Sequence, residues 1–183
     1  MHPHRLIAPS STEKAALVAL YTASFTASDG PDEGQAVGAL VRDILAQCLP
    51  DGAMVYQTTD ATGLRAAVLF TPLVYGAGGG PRAMLLSPMA VATDFQRQGL
   101  GQSLLAVALA DLRAQGVDLV LTYGDPAFYG KSGFLPANPA TLPAPYPLSM
   151  PQGWQGLALA GGPLPVLQGP CRCVAPFENP AMW

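Results

Sequence analysis

The stretch 95-FQRQGLGQSLL-105 decides how this chain is read. Three long polar side chains and two glycines stand directly before a leucine-rich run. A glycine costs about 1 kcal/mol in a helix interior relative to alanine. A chain that opens a good helix with two of them gives up helix stability for something else. A helix N-terminus carries unpaired backbone N–H groups and roughly half a positive charge from aligned peptide dipoles. With no Cβ at Gly99 and Gly101, an anion approaches those N–H groups closely. The spacing Gln96-x-x-Gly99-x-Gly101, placed after a strand, therefore reads as a pyrophosphate cradle. Arg97 adds a cation, and Gln96, Gln98 and Gln102 add neutral donors. Two better-known phosphate motifs do not fit. The dinucleotide fingerprint needs a glycine where Leu104 stands, and the P-loop needs a lysine where Gln102 stands.

Outward from that loop, the flanking elements follow from periodicity. Leu100, Leu104, Leu105, Ala108, Leu109 and Leu112 form one apolar stripe, so a helix follows the motif and ends at Gly116. Upstream, "MLLSPMAVA" is a strand, and Pro88 within it has no N–H for a ladder, which predicts a bulge or break. "AMVYQTT" and "RAAVLFTPLVY" around the turn "DATG" read as a hairpin. Ser10 and Glu13 have capping-box spacing ahead of a helix carrying Leu17, Leu20, Tyr21 and Phe25. Val37, Leu40, Val41, Ile44 and Leu45 define a second helix, ending by Pro50. Downstream, "LVLTY" is a short buried strand, and "GDPAFYGKSGF" a brief helix with Asp125 at its N-cap and Pro126 at its first position. From Ser132 to Cys171 no residue is charged; the proline-rich first half reads as irregular, and the remainder as short final strands or a hairpin.

The bulk numbers bound the answer. The chain has 183 residues, half of them hydrophobic, enough for one sizeable core and read as a single domain. Charged residues are 11% of the chain, about half the usual share. A net charge of −3 gives no electrostatic case for nucleic acid, and no basic run or long apolar run suggests a membrane. The first residues lack the apolar core of a signal peptide, so a cytoplasmic protein is expected, with residues 1–10 mobile. Cys48, Cys171 and Cys173 have no metal-site spacing and read as reduced thiols, although Cys171 and Cys173 at i, i+2 also admit a ligand pair. No metal is expected. The charge-poor last third admits a homodimer.

A second motif joins the first. "LSPMAVATDFQRQGLGQSLL" followed by "VLTYGDPAFYGKSGF", over about residues 84 to 135, resembles the GNAT superfamily of N-acetyltransferases. The first segment matches its strand and Q/R-x-x-G-x-G/A loop; the second matches its F-Y-x-x-x-G-F ending through Phe128, Tyr129, Gly133 and Phe134. The "GDPAFYG" run with its proline-rich tail looks like a bacterial branch of that superfamily whose substrate is unsettled.

The resemblance implies an α/β acyl-CoA N-acyltransferase fold: a mixed, mainly antiparallel sheet of six or seven strands flanked by helices and splayed at a cofactor wedge. It implies acetyl-CoA as cosubstrate, with Gln96, Arg97, Gln98, Gly99, Leu100, Gly101 and Gln102 around its pyrophosphate. Met89, Ala90 and Val91 would lie along its pantetheine, with the Met89 N–H as oxyanion donor. Tyr129 would act as general acid on the departing thiolate and touch the cofactor. As a core aromatic beside Phe128 and Phe134, Tyr129 also has a purely structural reading.

Asp125 is explained by capping alone, and Lys131 by a solvated surface. The strand positions that carry histidines in some relatives are Leu85 and Ser87 here, so no general base is assigned; Glu33 is a weak candidate better explained by its place near a helix N-terminus. The expected acceptor is a primary amine of a small, partly apolar molecule or a peptide N-terminus. Trp154, Tyr146, Phe134 and Trp183 are either its walls, or cover for the sheet or a dimer contact. The rival to an enzyme is a catalytically silent CoA-binding module that regulates or docks a partner, and a plain interaction domain ranks last.

Overall fold

A computed structural model describes residues 4–77 and 79–183. The elements run in the order β1 (His4–Ile7), α1 (Ser11–Asp29), α2 (Pro31–Gln47), β2 (Met54–Asp60), β3 (Gly63–Tyr75), β4 (Ala83–Val91), α3 (Leu100–Ala114), β5 (Leu119–Tyr123), α4 (Pro126–Tyr129), β6 (Leu135–Pro136), β7 (Trp154–Ala158) and β8 (Cys171–Arg172). The strand order is β1-β2-β3-β4-β5-β7-β6, with β8 paired to β3. The sheet is mixed: β4 and β5 pair in parallel, whereas β1–β2, β2–β3, β5–β7, β6–β7 and β3–β8 are antiparallel. Among the described residues there are eight strands rather than six or seven, because β6 and β8 add two residues each. The chain forms two compact units, Met1–Phe70 with Pro88–Ala108, and Thr71–Ser87 with Leu109–Trp183.

In the first unit the capping box is present as its spacing predicts. The Ser10 hydroxyl accepts from the Glu13 N–H, and the Glu13 carboxylate accepts from the Ser10 N–H at 2.9 Å. Helix α2 starts on Pro31, whose missing N–H costs nothing at a first helical position. The two helices pack closely because Gly34 and Gly38 face Thr22 and Thr26. A Cβ on Gly34 would stand 2.7 Å from the Thr22 carbonyl oxygen and 2.8 Å from the Thr26 nitrogen. Leu17, Tyr21, Val41, Ile44 and Leu45 are buried there, together with Val55, Tyr56, Val68, Leu69 and Phe70 of the hairpin. Each large apolar side chain buried in this way contributes about 1.5–3 kcal/mol.

Residues 4–7, expected to be mobile, instead form an edge strand in register with β2, from His4↔Thr58 to Ile7↔Val55. The His4 ring Nδ1 lies 2.7 Å from the Thr58 hydroxyl. A terminal segment whose backbone groups find a sheet edge is ordered by the ladder.

In the second unit β7 pairs with β5 and β8 with β3, so the last two strands do not form a hairpin with each other. Cys171 is buried and Cys173 partly so, and both are free, as is Cys48. Burial first of all pushes the Cys171 and Cys173 thiols up to about 11, so they remain protonated at neutral pH. Trp183 is buried against Tyr123, Tyr146, Trp154 and Phe177, with ring centroids 6.1–6.4 Å apart. Of the four aromatics that were candidate acceptor walls, Trp154, Phe134 and Trp183 are core, and Tyr146 alone is half-exposed. The three buried rings therefore serve as core cover.

Candidate active site

The candidate site residues fall into two groups, one in each unit. The first runs from the second half of β4 through the loop into α3. β4 is continuous through Pro88, so the strand itself is not broken. What ends is the parallel ladder, whose register runs from Ala83↔Leu119 to Leu86↔Thr122 and stops two residues short of that proline. Beyond it, α1 supplies hydrogen bonds to β4. The buried Tyr21 hydroxyl donates to the Pro88 carbonyl at 3.1 Å, and the Ser24 hydroxyl to the Val91 carbonyl at 3.2 Å. Met89 and Val91 are half-buried and Ala90 is buried, as the alternation of a strand requires.

The loop after β4 is tied to the strand and to itself. A single 3-10 turn covers Thr93–Phe95, with the Phe95 N–H donating to the Ala92 carbonyl. The Gln96 side-chain amide donates to the Val91 carbonyl at 3.1 Å, and that of Gln98 to the Asp94 carbonyl at 2.8 Å. The expected neutral donors Gln96 and Gln98 thus shape the loop. The Arg65 guanidinium lies 4.5 Å from the centre of the Phe95 ring and pairs with Asp60 at 2.7 Å. The hydrogen bond from Arg65 is the main reason the Asp60 carboxyl lies well below the usual carboxylate range. None of these supports was legible beforehand, because Arg65 and Asp60 read simply as the edges of a turn.

Two residues of this loop take left-handed backbone: Arg97 at φ 59° and Gly99 at φ 80°. Gly99 then caps α3, its carbonyl accepting from the Ser103 N–H at 3.0 Å. The first N–H groups of α3, at Leu100 and Gly101, lie in the turn that a helix leaves without internal partners. No heavy atom lies within 4 Å of where a Gly99 Cβ would stand, so the approach to this turn is open. Arg97 and Gly99 are exposed, Gln102 is half-buried, and Leu100 and Gly101 are buried. The turn fits a phosphate or another anion of similar size.

The second group lies at the end of β5 and in α4. Asp125 caps α4, accepting from the Ala127 N–H at 2.8 Å, and Pro126 occupies the first position. The capping reading of Asp125 is therefore sufficient. Tyr129 ends α4 with its ring against the edges of Phe128 and Phe134, at 5.0 and 5.6 Å. A Cβ on Gly124 would stand 2.8 Å from the Tyr129 ring, so the ring lies directly on backbone. Burial raises the Tyr129 phenol to about 12; a hydrogen bond with the Thr122 side chain pulls it back, and the Asp125 carboxylate raises it further. Lys131 is exposed, and so is Glu33 in the first turn of α2. Among the described residues no three His, Cys, Asp or Glu side chains gather as a metal site, and no helix is long and apolar enough to cross a membrane.

The sequence and fold have known counterparts. Residues 16–134 match the acetyltransferase (GNAT) family, and the chain belongs to it. A relative in Escherichia coli strain K12, the uncharacterized N-acetyltransferase YjhQ, is 32% identical over 119 residues; the alignment takes in 63% of this chain and 65% of that protein, just under two thirds of its length. Among solved structures, the GNAT family N-acetyltransferase YhbS of Escherichia coli, in complex with CoA, superposes with a TM-score of 0.76 at 22% identity, over 97% of this chain and 92% of that one. A GNAT family acetyltransferase of Brucella melitensis, in complex with acetyl-CoA, gives 0.69 at 23% identity, over 97% and 100%. The expected α/β GNAT fold is the fold observed.

Proposed function

We propose that this protein is an N-acetyltransferase that moves an acetyl group from acetyl-CoA to a primary amine by direct attack. The observation that carries the reading is the anion-accepting start of α3, with Gly99 in left-handed backbone and open space over the first turn. Membership of the acetyltransferase family supports it, as do the CoA and acetyl-CoA complexes of the two structural relatives. Acetyl-CoA supplies a thioester, whose carbonyl carbon an amine nitrogen attacks.

The chain's own residues take the remaining roles. The backbone N–H groups of Leu100 and Gly101 receive the pyrophosphate, with Gln102 beside them, Arg97 as mobile cation and Gln96, Gln98 and Gly99 holding the loop in shape. Met89, Ala90 and Val91 present backbone groups to the pantetheine, and the Met89 N–H donates to the carbonyl oxygen as negative charge develops on it. One such donor is worth about 3 kcal/mol of transition-state stabilisation. Tyr129, still protonated at neutral pH, passes its proton to the departing sulfur. No side-chain base is assigned, since Leu85 and Ser87 cannot serve and Glu33 is an exposed residue of a first helical turn. An acceptor that arrives deprotonated, or a water chain, needs none.

The acceptor we propose is a small, partly apolar amine or a peptide N-terminus, because no charged residue lies between Ser132 and Cys171 to select a polycation. Three free cysteines suit a cytoplasmic setting.

Titration calorimetry with acetyl-CoA and with CoA is the first test. We expect micromolar binding by the wild type and at least a hundredfold loss in Gly99→Glu, which places a carboxylate against the anion. No binding by folded wild-type protein would overturn the reading. Steady CoA release over a panel of amines then separates an enzyme from a silent CoA-binding module. A preference for polyamines or lysine-rich proteins would refute the acceptor class.

A further inference from the structure

Helix α1 presents two hydroxyls to the second half of β4. Tyr21 is fully buried and donates to the Pro88 carbonyl at 3.1 Å, and Ser24 donates to the Val91 carbonyl at 3.2 Å. A peptide group is planar and trans, so its C=O and its N–H point in opposite directions. Whatever holds the carbonyl of one residue therefore sets the aim of the next residue's N–H. The second clamp shows this directly. Ser24 holds the Val91 carbonyl, and the Ala92 N–H at the other end of that peptide donates to the Arg65 carbonyl at 2.8 Å. In the first clamp the held carbonyl is that of Pro88, and the N–H at the other end is that of Met89.

We infer that Tyr21 is a positioning residue for the oxyanion donor: its hydroxyl fixes the plane of the Pro88–Met89 peptide and, by drawing charge onto the Pro88 oxygen, makes the Met89 N–H a stronger donor. The inference rests on the reading in which that N–H faces the thioester carbonyl. When the amine nitrogen adds, a C–N bond forms and the carbonyl π pair moves onto the thioester oxygen, where the Met89 N–H meets the charge. Tyr21 keeps its own proton throughout and touches no reacting atom. Hydrogen bonds in a chain strengthen one another by about 10–30% per bond. A donor held in place beforehand also needs no reorganisation as the charge develops. Proline suits position 88, because its ring fixes φ at the residue whose carbonyl is held. Phenylalanine at position 21 would keep the ring in the core and remove the clamp.

The test reads the thioester itself, in the full-length protein with acetyl-CoA that carries the NMR-active carbon isotope at its thioester carbonyl. That carbon resonates clear of the protein's own carbonyls and moves downfield when its oxygen accepts a hydrogen bond. Wild-type protein is expected to move it downfield on binding. Tyr21→Phe is expected to lose most of that displacement while its affinity for acetyl-CoA, by calorimetry, stays within about twofold of wild type. Fluorotyrosine at position 21, a stronger donor of similar shape, should move the carbon further downfield, and it decides the matter if Tyr21→Phe does not fold. A hydroxyl that merely stabilises the core would lower the melting temperature and leave the bound thioester unmoved. A displacement kept in full by folded Tyr21→Phe, or unchanged by fluorotyrosine, therefore overturns the inference and leaves the role of Met89 standing. No displacement in wild type that binds acetyl-CoA refutes that role and the inference with it; no binding at all refutes the cofactor reading. Pro88–Met89 is the one Pro–Met pair in the sequence, so carbonyl-labelled proline and nitrogen-labelled methionine together give a single amide signal, that of this peptide. If Tyr21→Phe leaves that signal unmoved, Tyr21 does not hold the peptide and the inference falls. With an amine that the panel identifies as acceptor, kcat and kcat/KM should fall together by about tenfold in Tyr21→Phe, the mark of an interaction made in the transition state.

Discussion

At the scale of single residues, Tyr129 separates chemistry from packing. Its ring contacts with Phe128 and Phe134 survive replacement by phenylalanine, while the hydroxyl is lost. Tyr129→Phe is therefore expected to lower kcat by about a hundredfold or more, the ordinary worth of a general acid, and to leave KM for acetyl-CoA nearly unchanged in steady-state assays. The pH dependence has a definite sign. Burial pushes the folded-state phenol up to about 12, above the ordinary tyrosine value of about 10. Its stabilising contribution is complete below the unfolded value and is lost as pH rises through the folded one. Urea denaturation across pH 8 to 11 should show stability falling at the alkaline end, with a shallower fall in Tyr129→Phe. "F-Y-x-x-x-G-F" was legible in the sequence as a motif; the seat of the Tyr129 ring against Gly124 was not, because a motif does not say which backbone its ring meets.

Among elements, the pair α1 and α2 shows how small residues set an approach distance. Gly34 faces backbone, 2.7 Å from the Thr22 carbonyl oxygen and 2.8 Å from the Thr26 nitrogen as measured from a built Cβ, whereas Gly38 faces the movable hydroxyl of Thr22 and otherwise has 3.4 Å or more. Gly34→Ala must push the helices apart and is expected to destabilise the protein by about 2–3 kcal/mol. Gly38→Ala lets Thr22 change rotamer and gains helix propensity, so its net effect is expected within about 1 kcal/mol of zero. Thermal melts of the two variants check the ordering, each kcal/mol being worth about 2–4 °C at this chain length. The apolar periodicity of both helices was readable in advance, and so was their capping. Their closeness was not, since a glycine on a helix face does not announce what it meets. Pro88 was readable as a residue that interrupts pairing, yet the sequence did not say whether the strand or the ladder would stop.

For the whole molecule, Trp183 gathers the second unit. It is 4% exposed, touches four aromatic rings, and donates its indole N–H to the Phe177 carbonyl at 3.0 Å, while its own carbonyl accepts from the Ser149 N–H at 2.8 Å. Trp183→Ala is expected to cost about 3–5 kcal/mol, a loss of about 10 °C or more in Tm by calorimetry. The sequence marked Trp183 as a wall or as cover, but not the rings it meets, because Tyr123, Tyr146 and Trp154 lie far from it along the chain.

The amino-acid sequence alone determined the helices, the hairpin, the strand before the glycines and the family, because periodicity, capping and turn chemistry are local and the two motifs keep their residues within a short span. It also marked the glycines at which the loop turns into α3, where the structure gives Gly99 a left-handed backbone. Only the tertiary structure decided the ordering of residues 4–7 on a sheet edge, the partners of β7 and β8, and the burial of Trp154 and Trp183. Each depends on groups distant in sequence meeting at hydrogen-bond or van der Waals range, and no local pattern encodes such a meeting.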